Sequence, residues 1–353
     1  MVGFQASVHL EDRPDPTPTP LRRRLAPDSS VPNPDREHLG LLAGLPRRII
    51  FVAGAHRTGT SLLHRMLASA ADVDFVTYYD VCEFPRLLEQ RVRGGRDEAV
   101  ARVAAQLAAM AGSRGIDQIP VGALEPEEYS GVLRRSCVGL DRCRPYSNPC
   151  LEPLRLLARK KAFLAERPQP LLLKGPIDSY DGLLRVDATL PDVTFVFVHR
   201  HPLPTLCSNV RSWRTLVETP NPWFAELDRG YRGLLSQPEL LEAARRLCGS
   251  EGHVRDLCAR IRTGMLHALE VEDALPAHRV VHVRYEDLCH APATELARVL
   301  ALLGLEQSAT FRESIAAPRP EDGGELLNRI HDESIESWRA YLNRHGYADR
   351  PEA

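Results

Sequence analysis

Residues 49–61 read Ile49-Ile50-Phe51-Val52-Ala53-Gly54-Ala55-His56-Arg57-Thr58-Gly59-Thr60-Ser61. The first five are a continuous apolar run, rich in β-branched residues and closed by a glycine, which suits a strand buried on both faces. Gly54, four intervening residues and Gly59 have the G-x-x-x-x-G spacing of a phosphate-binding loop, and a helical apolar pattern from Leu62 to Leu67 follows. Successive backbone N–H groups and the N-terminus of that helix together hold phosphate oxygens. The position of the lysine that holds β- and γ-phosphates in nucleotide hydrolases is taken by Thr60, which disfavours an ATP- or GTP-hydrolysing site. The cation of the loop is instead Arg57, a planar fork suited to bidentate oxyanion contact.

Outward from this stretch, three further apolar runs, Leu171–Leu173, Val193–Val198 and Val280–Val283, alternate with helical patterns at Leu62–Leu67, Glu98–Met110, Leu240–Leu247 and Leu296–Leu303. Interleaved strands and helices predict an α/β fold, a P-loop NTPase-like three-layer arrangement with a mainly parallel central sheet flanked by helices. The runs end in Lys174-Gly175-Pro176, His199-Arg200-His201-Pro202 and Arg284-Tyr285-Glu286-Asp287. Ligands of open parallel sheets bind beyond the carboxyl ends of the strands, so four strand ends aim cationic groups at one crevice. Any one of these cations alone would read as an ordinary exposed strand end; all four beside a glycine loop point to an anionic ligand.

Composition bounds the rest. The 353 residues carry 45 basic and 47 acidic side chains, a net charge of -2 that argues against a nucleic-acid or anionic-membrane partner. With 43% hydrophobic and 26% charged residues and a mean hydropathy of -0.26, the chain has the profile of a folded globular protein. Its basic residues are almost all arginine, and lysine occurs only at Lys160, Lys161 and Lys174. The 8 cysteines form no C-x-x-C pair, which favours free thiols over a zinc site, and no apolar stretch is long enough to span a membrane. A reducing cytoplasm is the expected compartment. Residues 1–36, rich in Pro, Asp and Ser around Arg22-Arg23-Arg24, read as a flexible arm. Residues 37–353 read as one domain with a helical, acceptor-side insertion at about 86–169.

His56-Arg57-Thr58-Gly59-Thr60-Ser61-Leu62-Leu63 resembles the 5′-phosphosulfate loop of sulfotransferases that use 3′-phosphoadenylyl sulfate (PAPS), with His56 in place of the usual proline. Phe195 to Pro202 followed by Ser208 resembles the strand of that family that ends in R-[DN]-P, with His201 where Asp or Asn is usual. Leu171-Leu172-Leu173-Lys174-Gly175-Pro176, Tyr285-Glu286-Asp287-Leu288 and Leu303-Gly304-Leu305 are similar to segments of its bacterial branch, which is related to tyrosylprotein-type sulfotransferases. The resemblance implies that His56, Arg57, Thr58, Gly59, Thr60 and Ser61 hold the 5′ end of the donor, that Arg200 and Ser208 hold its 3′-phosphate, and that Tyr285 lies in the donor site. It implies PAPS as donor and 3′,5′-ADP as product. Glu125-Pro126-Glu127-Glu128-Tyr129 is similar to a segment near the acceptor pocket, read here as acceptor or structural contacts.

Charge supports the donor that the resemblance implies. A sulfuryl donor carries a 5′-phosphosulfate and a separate 3′-phosphate, so it needs two anion sites and no triphosphate cradle, and sulfate has too little charge to demand a metal. Transfer to a hydroxyl needs a proton acceptor and cations on the oxygens where charge develops. Asp80 and Glu83 are the expected bases, with His56, His64 and His199 weaker candidates; Lys174 and Arg57 are the expected charge stabilisers. The expected acceptor is a hydroxyl, or less readily an amine, of a small molecule or glycan, and a homodimer is left open. Trp213, Trp223 and Trp338 read equally as core residues or adenine platforms. Two other readings compete: a P-loop kinase using ATP, and a non-catalytic nucleotide-binding protein.

Overall fold

The computed structural model describes residues 33–42, 48–109, 121–129, 148–175, 181–190, 192–227, 229–308 and 324–349, with isolated positions 116, 119, 132 and 351. Five strands, β1 (Ile49–Ala53), β2 (Asp74–Phe75), β3 (Leu171–Lys174), β4 (Val193–His199) and β5 (Val280–Arg284), form one sheet in the order β2-β3-β1-β4-β5. Every pairing is parallel. The four expected strands are therefore present, and β1 lies between β3 and β4, where its buried residues meet Leu171–Lys174 on one side and Val193–Phe197 on the other. The fifth, β2, pairs Asp74 with Leu171 and Phe75 with Leu172 at the sheet edge.

The helices in chain order are α1 (Thr60–Ala70), α2 (Tyr78–Cys82), α3 (Leu87–Arg93), α4 (Arg96–Ala108), α5 (Asn148–Leu164), α6 (Asp181–Thr189), α7 (Pro202–Glu218), α8 (Pro222–Leu227), α9 (Arg229–Leu235), α10 (Pro238–Leu247), α11 (Glu251–Ala274), α12 (Tyr285–His290), α13 (Pro292–Leu302), α14 (Gly324–Glu333) and α15 (Ile335–His345). The expected helical segments fall in α1, α4, α10 and α13, although Met110 lies outside the described residues.

Alternation along β1 creates two cores. Ile49, Phe51 and Ala53 join Phe195, Phe197, Leu157, Leu183 and Val271 on one face. Ile50 and Val52 join Leu63, Met66, Val196, Val283 and Leu300 on the other. Side chains that alternate across a sheet buried on both faces give this three-layer stack its uninterrupted apolar strands. The stretch 86–169 contributes α3, α4 and α5.

One boundary differs from expectation. Asp35, placed within the flexible arm, lies in a 3-10 segment, Pro34–Leu41, and is fully buried. Its carboxylate pairs with Lys160 Nζ at 2.7 Å and accepts from the Glu89 backbone N–H at 2.8 Å. The ion pair draws this stretch onto α3 and α5; residues 1–32, including Arg22–Arg24, lie outside the described residues. Among the described residues no helix is long and apolar enough to cross a membrane. Cys82, Cys207, Cys248, Cys258 and Cys289 are free thiols; Cys137, Cys143 and the Cys150 side chain lie outside the described residues.

Candidate active site

The glycine loop leaves β1 and enters α1 with its backbone set in two left-handed residues. Gly59, the N-cap of α1, has φ 98°, and Arg57 has φ 69°, which is costly for a residue with a Cβ. Two contacts hold the strained Arg57 peptide. Thr58, almost fully buried, donates its hydroxyl to the Ala55 carbonyl at 2.8 Å, closing the turn, and Arg200 Nη1 donates to the Arg57 carbonyl at 2.9 Å. A Cβ on Gly59 would lie 2.2 Å from Tyr285 Cδ2, so only glycine lets the ring pack against the loop. No side chain caps α1.

The strand end after β4 meets the loop directly. Arg57 Nε donates to Ser208 Oγ, on α7, at 3.2 Å. Arg200, 6% exposed at the end of β4, lies with its guanidinium 4.4 Å from the centre of the Tyr285 ring. Arg57, Gly59, Arg200, Ser208 and Tyr285 are thus brought together from three strand ends. His56 is exposed and offers its carbonyl to Asn209 Nδ2 at 3.4 Å. His201 is the N-cap of α7, its Nδ1 accepting from the Leu203 N–H at 3.2 Å. Its ring is held from behind by the Ala348 carbonyl at 3.1 Å.

Lys174, at the end of β3 and 5% exposed, forms an ion pair with Glu128. The backbone fixes this partner: the Glu127 N–H donates to the Val76 carbonyl at 2.8 Å and the Tyr129 N–H to the Lys174 carbonyl at 3.3 Å. Gly175 lets the chain pass, because a Cβ there would sit 2.5 Å from the Tyr129 ring. Ser61, His64, Glu127, Glu128 and Lys174 line one small cleft at the start of α1. Pro176, expected to end this strand, lies outside the described residues.

Asp80 and Glu83 have other partners. Asp80, 3% exposed, completes a capping box with Thr77 at the start of α2 and pairs with Lys161 Nζ at 3.0 Å. Asp74 meets the same ammonium at 3.0 Å. Burial pulls the Lys161 pKa down, but the two carboxylates outweigh it and the net shift is upward; burial raises Asp74. Glu83, also 3% exposed, accepts from Gln90 Nε2 at 2.8 Å and pairs with Arg102 at 3.3 Å. Both carboxylates anchor helices to one another, a role for which burial and a fixed cation suffice. Trp338 is in the core and Trp213 packs against it, while the Trp223 side chain lies outside the described residues.

The sequence reading gave the segment with Glu128 acceptor or structural contacts and did not foresee its ion pair with Lys174. Its signal was present in the Glu127-Glu128 pair, but only the fold reveals that this segment runs past Lys174.

Comparison with known proteins bears on the family and the fold. A family model described as sulfotransferase family matches residues 49–309, from β1 to beyond α13. Among solved structures, the chain is similar to sulfotransferase STF9 from Mycobacterium avium at 17% identity, covering 89% of this chain and 81% of that one with a TM-score of 0.53. It is similar to sulfotransferase STF1 from Mycobacterium tuberculosis H37Rv at 18% identity, covering 84% and 78% with a TM-score of 0.51. At these identities the likeness speaks for the fold. Among curated proteins none matches the chain.

Proposed function

We propose, from the fact that this chain belongs to the sulfotransferase family, that the sulfuryl group it transfers comes from PAPS and goes to a hydroxyl or amine of a small-molecule or glycan acceptor. The observation that carries the choice of donor is the contact of Arg57 Nε with Ser208 Oγ, which joins a phosphate-type loop to a second cationic element at a separate strand end. Such a pair of adjoining anion sites fits a nucleotide with phosphate at both the 5′ and 3′ positions. Thr60 in place of lysine fits the absence of a β,γ-diphosphate.

In this reading the loop N–H groups of residues 57–61 and the N-terminus of α1 hold the 5′-phosphosulfate, Arg200 and Ser208 hold the 3′-phosphate, and Tyr285 and His56 border the donor. PAPS supplies an activated sulfuryl group. The acceptor oxygen forms its bond to sulfur while the bond from sulfur to the bridging oxygen breaks, and 3′,5′-ADP leaves. The acceptor proton passes to Glu128, chosen over Asp80 and Glu83 because it pairs with Lys174 in the cleft beside Ser61. Lys174 and Arg57 offset the negative charge that grows on the bridging and equatorial oxygens. No step requires a metal. The helical stretch at 86–169 would border the acceptor.

Incubating the protein with ³⁵S-labelled PAPS and an extract of its source organism tests this reading and identifies the acceptor. The expected result is a labelled product and 3′,5′-ADP. Tight binding of 3′,5′-ADP without any transfer would favour a non-catalytic nucleotide-binding protein, and Mg²⁺-dependent binding of ATP in its place would favour a kinase.

A further inference from the structure

Around His199, the residue before Arg200, four ligand-type side chains converge from four elements. They are His199 at the end of β4, Glu272 in α11, His282 in β5 and His345 at the end of α15. One donor atom from each lies within 4.8 Å of all the others. His199 Nε2 is 3.0 Å from His282 Nδ1 and 3.9 Å from Glu272 Oε1. Glu272 Oε2 is 3.8 Å from His282 Nδ1 and 3.9 Å from His345 Nε2. The rings of His199 and His345 stack at 3.5 Å, so one of them has to turn for both to hold one ion in the ring plane.

We propose that His199, Glu272, His282 and His345 bind a divalent first-row transition cation, Zn²⁺ by preference, at a structural site. Four ligands at about 2.0–2.2 Å around a tetrahedral Zn²⁺ stand roughly 3.3 Å from one another, and the separations here bracket that value. His199 Nε2 and His282 Nδ1 share a hydrogen bond that a cation would replace, but the carboxylate is too far for one: each of its oxygens is nearly 4 Å from its nearest imidazole nitrogen. The Glu272 side chain is 1% exposed, yet neither of its oxygens has a hydrogen-bond partner, nor has His345 Nε2. A buried carboxylate without a donor is costly, and a cation at the centre of the cluster would satisfy all three atoms at once. Arg344, the neighbouring cation, is paired with Asp273.

Other features suit a metal. Imidazole and carboxylate form a borderline donor set that zinc favours. Tyr341 Oη lies 3.4 Å from His199 Nδ1, the ring nitrogen left over once Nε2 faces the centre, as an outer partner of a ligating histidine does. The His282 side chain is 47% exposed, which leaves the ion a way in from solvent. The bound ion would clamp the C-terminal helix α15 to β4 and β5, one residue from Arg200, and so support the donor site without touching it.

The test reads metal and stability, independently of sulfuryl transfer. The untagged full chain is stripped with a chelator, then titrated with Zn²⁺, and with Co²⁺ to record the visible bands of a tetrahedral ion. The expected result is one metal per chain, a tetrahedral cobalt spectrum and a higher melting temperature with Zn²⁺. His282→Ala, at a half-exposed position where the fold should tolerate it, and Glu272→Gln should each weaken binding by more than the about 10–100-fold that loss of an outer-shell partner costs. His290→Ala, an exposed histidine outside the cluster, should bind as the parent does. Substoichiometric binding, or equal affinity in the parent, His282→Ala and Glu272→Gln, overturns the proposal.

Discussion

Arg57 Nε donates to Ser208 Oγ at 3.2 Å, joining two residues separated by 151 positions in the chain. Arg200 reinforces the junction by donating to the Arg57 carbonyl at 2.9 Å. The loop and the strand end thus form one preorganised surface, so ligand binding need not bring them together. Preorganisation of this kind lowers the ordering cost of binding.

Arg200→Ala removes both the cation expected at the 3′-phosphate and the bond that holds the Arg57 peptide. Loss of a charged hydrogen bond costs about 1.5–3 kcal/mol, or roughly 10- to 150-fold in affinity. Calorimetry with 3′,5′-ADP should show a loss in that range. An unchanged affinity would remove Arg200 from the donor site.

Gly59→Ala should be more severe than its size suggests. The new methyl group meets the Tyr285 ring at 2.2 Å, and the left-handed φ of 98° adds backbone strain. Overpacking and strain each cost about 1–3 kcal/mol. We expect a lower melting temperature together with weakened 3′,5′-ADP binding. Shortening the obstacle with Tyr285→Ala in the same chain should recover part of the stability, because it removes the clash and leaves only the strain.

The contrast between what the sequence disclosed and what it withheld has a physical basis. β1, β3, β4 and β5 were legible because burial on both faces demands continuous apolar runs; β2 was not, since Asp74 and Phe75 make no run. The cationic strand ends were legible for a related reason, as a parallel sheet must send all its carboxyl ends to one side. Which carboxylate meets which cation is a different matter. Asp80 finds Lys161, 81 residues away, and Glu128 finds Lys174, 46 residues away, through backbone pairings that no local pattern encodes. The scarcity of lysine was a usable signal. Each of the three lysines, in a chain that otherwise uses arginine, is buried and paired with a carboxylate. The histidine and glutamate cluster draws on four elements between residues 199 and 345, so its members carry no spacing that could mark them.

If Glu128 is the base and Asp80 a buried partner of Lys161, the two predict different phenotypes. Glu128→Gln should lower kcat by about 10²–10⁴-fold, the range of a lost general base, while leaving 3′,5′-ADP affinity nearly unchanged, with some loss of stability because buried Lys174 keeps only a neutral partner. Asp80→Asn weakens a buried pair and a helix cap, and Asp74 remains to hold Lys161. It should cost about 1.5–3 kcal/mol of stability. A kcat collapse in a fully stable Asp80→Asn chain, with Glu128→Gln active, would return the base to Asp80.

The start of α11 carries a pH-sensitive joint. Ser250 caps the helix by accepting from the His253 N–H at 3.4 Å, and His253 Nδ1 accepts from the Gly249 N–H at 3.0 Å. An accepting nitrogen must be unprotonated, and burial, followed by the charge of Arg260, lowers the pKa of His253 below its ordinary 6.5. The unfolded chain therefore takes up this proton at a higher pH than the folded one. Where the unfolded state binds more protons, stability rises with pH, so the contribution is complete above pH 6.5 and is lost as pH falls from there towards the lowered folded value. Other groups also titrate in acid, so the informative quantity is a difference. His253→Gln keeps a side-chain acceptor and cannot charge, and its melting temperature should fall less steeply than that of the parent between about pH 6.5 and 5. Parallel curves for the two chains over that interval would show that the Gly249 bond survives protonation, contrary to the geometry of a nitrogen with no lone pair left to accept.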